Sequence, residues 1–168
     1  MLRLLEASDA DALIAANRAS RDYHAPWVQP PLDRAAFEQW FAGVDHRRAV
    51  SMIGLTDDGT IIGVFNFSEI VLANFRSCYL GYYGMVACAG QGLMSLCLRA
   101  GLIHMREIVG LHRVEANIQP GNVRSIRLVQ RLGFCREGYS PDYLFIDGAW
   151  RDHERWAILL DQVSARVP

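Results

Sequence analysis

At the decapeptide MVACAGQGLM, Met85 to Met94, the hydrophobic pattern of this chain changes its period. Before it, the runs Val50 to Thr56, Ile61 to Ile70 and Ser77 to Val86 read as strands, with Asp57-Asp58-Gly59 as a hairpin turn between the first two. After it, Leu93, Leu96, Cys97, Ala100, Ile103 and Ile108 recur at the three-to-four spacing of one helical face. A strand that runs through Gly90 and Gly92 straight into a long amphipathic helix needs helices layered on a sheet. The expected class is therefore α+β, or a three-layer α/β arrangement.

The rest of the chain fits that frame. Met1 to Leu5 reads as a short first strand, and Ser8 as the N-cap of a helix running through Asn17. Asp22 to Pro31, with Pro26, Pro30 and Pro31 around Trp27, is incompatible with helix. It reads either as a binding loop or as a segment whose Trp27 plugs one end of the core. Asp33 to Phe41 suits a second short helix. Beyond the main helix come a strand at Arg113 to Ile118, a break at Pro120-Gly121, and a helix capped by Asn122 and ended by Gly133. Two further strands, Tyr139 to Ile146 and His153 to Leu160, flank a turn at Asp147-Gly148.

Composition removes several functions. A chain of 168 residues suits one domain spanning residues 1–168. The formal charge of -1 and the complete lack of lysine provide no basic stripe for nucleic acid. Apolar stretches such as Leu93 to Leu98 are far shorter than a membrane span, and the first residues lack a basic segment followed by an apolar run, so a cytoplasmic protein is expected. Cys78, Cys88, Cys97 and Cys135 stand at irregular intervals without a CxxC pair, which favours buried or incidental thiols over a metal site or a disulfide framework. Cys88, just before the glycine turn, is the one thiol placed to be reactive.

A glycine pair between strand and helix lets backbone N–H groups converge on an anion at the positive end of a helix dipole. It serves equally as a tight connection. More specific is VEANIQPGNVRSIRLVQRLGF, Val114 to Phe134, which follows one helix later. With LGY at Leu80 to Tyr82, GQGLM at Gly90 to Met94, HRVEANIQPGN at His112 to Asn122, EGY at Glu137 to Tyr139 and DYLFIDGAWRDH at Asp142 to His153, the chain resembles the GNAT superfamily, and within it the Rim-type (RimJ/RimL-like) ribosomal-protein-alanine N-acetyltransferases. The likeness is good from Leu80 onward and looser in the first third, through NRASRDYHAPW.

That resemblance implies a mixed, mostly antiparallel sheet of about seven strands with a splayed parallel pair, flanked by about four helices. It implies acetyl-CoA as co-substrate, held between Ser77 to Val86 and Arg113 to Ile118, and no metal. Met85, Val86, Ala89, Gly90, Gln91, Gly92, Leu93 and Met94 then form the coenzyme-binding turn, with Asn117, Asn122, Ser125 and Arg131 as further coenzyme contacts. Asn122 is by its position also an ordinary N-cap. Ser125 is the candidate donor of a proton to the departing thiolate, and Glu115 the candidate base, acting through water. A strand carboxylate paired with Arg113 is the alternative for Glu115, with Asp142 and Tyr143 as other candidates for the base. Trp27, Tyr82 and Tyr143 are the candidate acceptor contacts. His112 and His153 read as structural.

The chemistry demands little. A protein α-amine has a reference pKa of about 7.7 to 8.0, so part of it is already nucleophilic near neutrality. Alignment of amine and thioester, and backbone donors at the developing oxyanion, carry most of the acceleration. The expected acceptor is a protein N-terminus. A small amine is the alternative acceptor, and a coenzyme-binding module without catalysis is the other class. The family's first loop residue, Gln or Arg, is Ala89 here, and Gln91 replaces the commoner basic residue, which thins the charge at the diphosphate. Arg124, Arg127 and Arg131 either offset that loss or are solvated helix charges. Neither nucleic acid nor membrane is an expected partner, and a homodimer is compatible with the sequence.

Overall fold

Seven strands and five helices are the regular elements of the computed structural model, which describes residues 1–163. The strands are β1 (Leu2–Leu4), β2 (Val50–Leu55), β3 (Ile61–Val71), β4 (Ser77–Gly84), β5 (Arg113–Ile118), β6 (Cys135–Ile146) and β7 (Ala149–Leu159). The helices are α1 (Ala10–Ala19), α2 (Arg21–His24), α3 (Arg34–Ala42), α4 (Leu93–Glu107) and α5 (Val123–Arg131). One sheet holds all seven strands in the order β1-β2-β3-β4-β5-β7-β6. Every neighbouring pair is antiparallel except β4 with β5, as the fold class expected.

Alternation along the strands decides which helices cover which face. Val114, Ala116 and Ile118 of β5 are buried with Leu98, Leu102 and Met105 of α4 and with Leu128 and Val129 of α5. On the opposite face, Leu13 and Ile14 of α1 and Phe37 of α3 close over Ile53, Val64 and Tyr83. The sheet is thus the middle of three layers. The parallel pair is short: Ser77–Tyr79 pairs with Arg113–Glu115, after which the two strands run on without pairing to each other.

Several boundaries differ from the sequence expectation, each for a local reason. The first helix is entered through a tight turn at Ala7–Asp9, and Asp9 rather than Ser8 stands at its N-cap. Asp9 is held there by Arg3 Nη1 at 2.8 Å and by the Glu6 amide at 2.9 Å. The segment Arg21–His24 is helical, because a proline disfavours helix only at itself and at the residue before it. Ala25 is accordingly extended, and the Ala25–Pro26 bond is cis. Strand β4 stops short of Val86, whose amide turns away to Ser20 Oγ at 3.1 Å. The last two strands begin earlier than their apolar runs, since β6 and β7 zip together along most of their length. No helix among the described residues is long and apolar enough to cross a membrane.

Candidate active site

Where β4 and β5 part, a cavity of about 740 Å³ opens, a size typical of small-molecule sites. Its two ends are built differently. One is made of amides and short side chains, the other of aromatic rings and histidines.

The amide end lies at the start of α4. Gly90 and Gly92 adopt φ of 75° and 77°, and a Cβ at either would meet nothing within 4 Å, so the left-handed backbone and not crowding calls for glycine. No side chain caps α4; the Ser95 amide turns back to the Gly92 carbonyl at 3.0 Å, and the amides before it have no side-chain partner beside the cavity. Met94 fits into the sheet beside two glycines: a Cβ on Gly63 would lie 2.6 Å from its sulfur, and one on Gly84 3.0 Å. Asn117 lines the cavity, and its buried Oδ1 has no partner.

The first turn of α5 lies between the two ends. Asn122 Oδ1 accepts the Ser125 amide at 3.2 Å, so the expected N-cap is formed. Tyr82 donates its hydroxyl to the Ser125 carbonyl at 3.1 Å, and burial raises the pKa of that phenol, keeping it a donor. The Ser125 backbone is thereby held from the sheet and from its own helix. Arg127 and Arg131 line the wall beyond it.

The other end is assembled from distant parts of the chain. Trp27 lines it and presses on the turn before α5, where a Cβ at Gly121 would fall 2.9 Å from the indole. Arg124 stacks over the Tyr23 ring at 4.8 Å. Gln29 Nε2 donates to Asp147 Oδ1 at 2.8 Å, tying the proline-rich segment to the β6–β7 turn across the opening. Trp27 is thus both cavity wall and packing group.

Two histidines line the cavity. His24 is 4% exposed and Tyr83 crosses its ring at 5.3 Å. Its Nε2 lies 2.9 Å from the Gly84 carbonyl, which can only accept, so Nε2 carries the proton and the buried Nδ1 has no partner. Burial lowers its pKa, with the Gly84 contact opposing, and the ring is neutral. His153 is 2% exposed, with Nδ1 2.9 Å from the Arg151 carbonyl. The same logic puts the proton on Nδ1 and leaves the lone pair on Nε2. Among the described residues lining the cavity there is no aspartate or glutamate.

The structure brings together Trp27, Tyr82, Met85, Ala89, Gly90, Gly92, Met94, Asn117, Asn122, Ser125 and Arg131 on the cavity wall. Five other sequence candidates stand off it. Val86 is exposed and bonded to Ser20. Leu93 packs on the α4 core. Gln91 folds back to the Ala87 carbonyl at 3.1 Å and faces a small hollow beside Asp57 and Asp58. Glu115 accepts from Arg113 Nε at 2.9 Å, opposite Tyr79 on the last paired rung of the parallel strands. Tyr143 packs its ring against His153 at 6.0 Å. Sequence reasoning passed over His24 and His153 as cavity residues. Strand alternation sets His153 on the face of Arg155, but only the register that pairs Arg155 with Asn117 brings that face to the cavity. His112, by contrast, is exposed and outside the cavity. Of the thiols, Cys78, Cys88 and Cys97 are buried and Cys135 is exposed; burial raises Cys88, against an activated thiolate, and pushes Cys78 up to about 12. No cluster of three or more potential metal ligands occurs among the described residues.

Comparison with known proteins adds the family. Residues 1–135 match the profile described as Acetyltransferase (GNAT) domain. The chain is 50% identical over 97 residues to the [ribosomal protein uS5]-alanine N-acetyltransferase of Escherichia coli (strain K12), covering 58% of this chain and 50% of that one. It thus spans about half the length of the curated relatives it matches first. Among solved structures, the ribosomal-protein-S5-alanine acetyltransferase of Vibrio fischeri superposes with a TM-score of 0.82 at 28% identity, covering 97% of this chain and 94% of that one. Mycobacterium smegmatis RimJ in complex with CoA-disulfide superposes with a TM-score of 0.84 at 28% identity, over 96% and 82% of the two chains.

Proposed function

The chain belongs to the GNAT acetyltransferase family, and from that premise we propose that it transfers the acetyl group of acetyl-CoA to the α-amine of a protein N-terminus, ribosomal proteins being the acceptor class. The observation that carries the reading is the parting of β4 and β5 after Tyr79 and Glu115 into a cavity whose far wall is the uncapped first turn of α4.

The residues present fit the coenzyme. First-turn amides and two left-handed glycines suit a diphosphate. The strand edges left free beyond the paired rungs, and the orphaned Asn117 Oδ1, suit the amides of a pantetheine arm. Arg127 and Arg131 supply charge that Ala89 and Gln91 do not. When bound, the coenzyme supplies the activated acetyl group; the chain supplies position. Ser125, whose backbone is held by Asn122 and Tyr82 and whose side chain lines the cavity, is the proton donor to the departing sulfur. Trp27 and Tyr82 shape the approach of the acceptor, with Tyr143 in support behind His153.

The wall also favours a protein N-terminus over a polyamine. A polyamine would carry several positive charges into a surface with Arg124, Arg127 and Arg131 and no carboxylate among the described lining residues. An α-amine brings one charge, with a reference pKa of about 7.7 to 8.0 against about 10.4 for a lysine-like amine. We place the reaction in the cytoplasm.

The test is a titration of the chain with acetyl-CoA followed by assays of peptides beginning with alanine or serine against free amines, including a polyamine. Acetylated peptide α-amines with little product from the polyamine are expected. Preferred acetylation of the polyamine would contradict the acceptor assignment, and coenzyme binding with no thiol release on any amine would contradict the enzymatic reading.

A further inference from the structure

The geometry points to Nε2 of His153 as the group that takes the proton from the acceptor ammonium. The assignment rests on the acetyl-transfer reading above and adds the base, which the wall otherwise lacks. An α-amine entering near neutral pH is largely an ammonium, with no lone pair to attack, and some acceptor must remove a proton first. No carboxylate lines the cavity among the described residues, burial raises the phenols of Tyr82 and Tyr83 and the thiol of Cys88, and the Tyr23 ring lies under the Arg124 guanidinium, which leaves the two histidines as the side chains suited to the task.

They are not equivalent. His24 spends Nε2 on the Gly84 carbonyl, and its remaining Nδ1 is closed off from solvent beneath Tyr83. Burial lowers its pKa, which further weakens it as a base. In His153 the proximal nitrogen is the one occupied, by the carbonyl of Arg151 in its own strand. The distal edge of the ring, with the Nε2 lone pair, is left for the cavity that the residue lines. The ring is held in place by Tyr143 on β6, and Ser140 is its register partner. The nearby carboxylate of Asp152 is engaged elsewhere, by the Tyr139 hydroxyl and by the Asp142 amide at 2.9 Å. Asp152, whose pKa those contacts hold below the usual carboxylate value, therefore does not compete for the proton.

The step balances. One N–H proton passes from the ammonium to Nε2, giving imidazolium and free amine. The amine lone pair forms the new C–N bond as the C–S bond breaks, and the second amine proton is matched by the one delivered to the leaving sulfur. The imidazolium then returns its proton to solvent, so the net release is one proton with one thiol.

The test compares wild type with His153→Asn, which keeps a donor for the Arg151 carbonyl but removes the distal nitrogen, and with His153→Gln, which places a non-basic polar group near it. Acetyl-CoA affinity, measured by calorimetry, reports that the site has folded. At pH 7 a loss in kcat/KM of on the order of tenfold to a hundredfold is expected for a peptide acceptor. That loss narrows toward none as pH rises above about 9, where the α-amine arrives already neutral. A loss equal at every pH, no loss at pH 7, or the pH-dependent loss at His24→Gln in place of His153 would overturn the assignment. A wild-type chain that binds acetyl-CoA yet acetylates no amine is a separate result, which removes the reading of function and this base together.

Discussion

The amide end of the cavity is held by backbone, through two left-handed glycines and an uncapped helix start. The aromatic end is held by side chains that meet from afar: Trp27 on Gly121, Arg124 on Tyr23, Gln29 on Asp147. A seat made of backbone varies little when single side chains change, and suits a ligand that is always the same. A wall made of long-range side-chain contacts is easily altered, and suits the part of the reaction in which proteins of one fold differ.

Substitutions at the two ends should separate cleanly. The largest effect belongs to Ser125→Ala, where turnover should fall on the order of a hundredfold with acetyl-CoA affinity little changed; unchanged turnover removes Ser125 from the chemistry. Next is Gly92→Val, which forces a branched side chain into φ of 77° at a strain of about 1–2 kcal/mol. Weakening of acetyl-CoA binding by roughly tenfold, seen by calorimetry, with no selective change in acceptor KM, is the expected outcome. Trp27→Ala should do the reverse, raising acceptor KM about fivefold or more, equivalent to about 1 kcal/mol, and sparing coenzyme affinity. A Trp27→Ala chain that lost coenzyme binding equally would break the division of the cavity. The smallest effect is Gln29→Ala, the loss of one exposed hydrogen bond worth about 0.5–1 kcal/mol, visible as a modest rise in acceptor KM.

The same division marks what could be read from sequence. The expected strand at Arg113 to Ile118 is β5 without revision, and the Asn122 cap and the Gly90 and Gly92 turns are formed as their local chemistry demands. Each depends on residues close along the chain. The short helix α2 was hidden by prolines that act only from Ala25 onward. For Glu115 the sequence left open both base and ion-pair partner; its contact with Arg113 depends on side-chain placement that alternation alone cannot give. His24 and His153 became visible as cavity residues only when α2 was set against Gly84 and β7 against β5, because register between distant segments leaves no trace in local pattern.

The most direct measurement of the central claim is amide hydrogen exchange with and without saturating acetyl-CoA. If the coenzyme sits between the parted strands, protection should appear in Leu80–Gly84, in Gln91–Met94 and around Asn117–Ser125, while α1, α3 and the first three strands exchange as before. Tight coenzyme binding with those amides unprotected, or with protection centred elsewhere, would contradict the account.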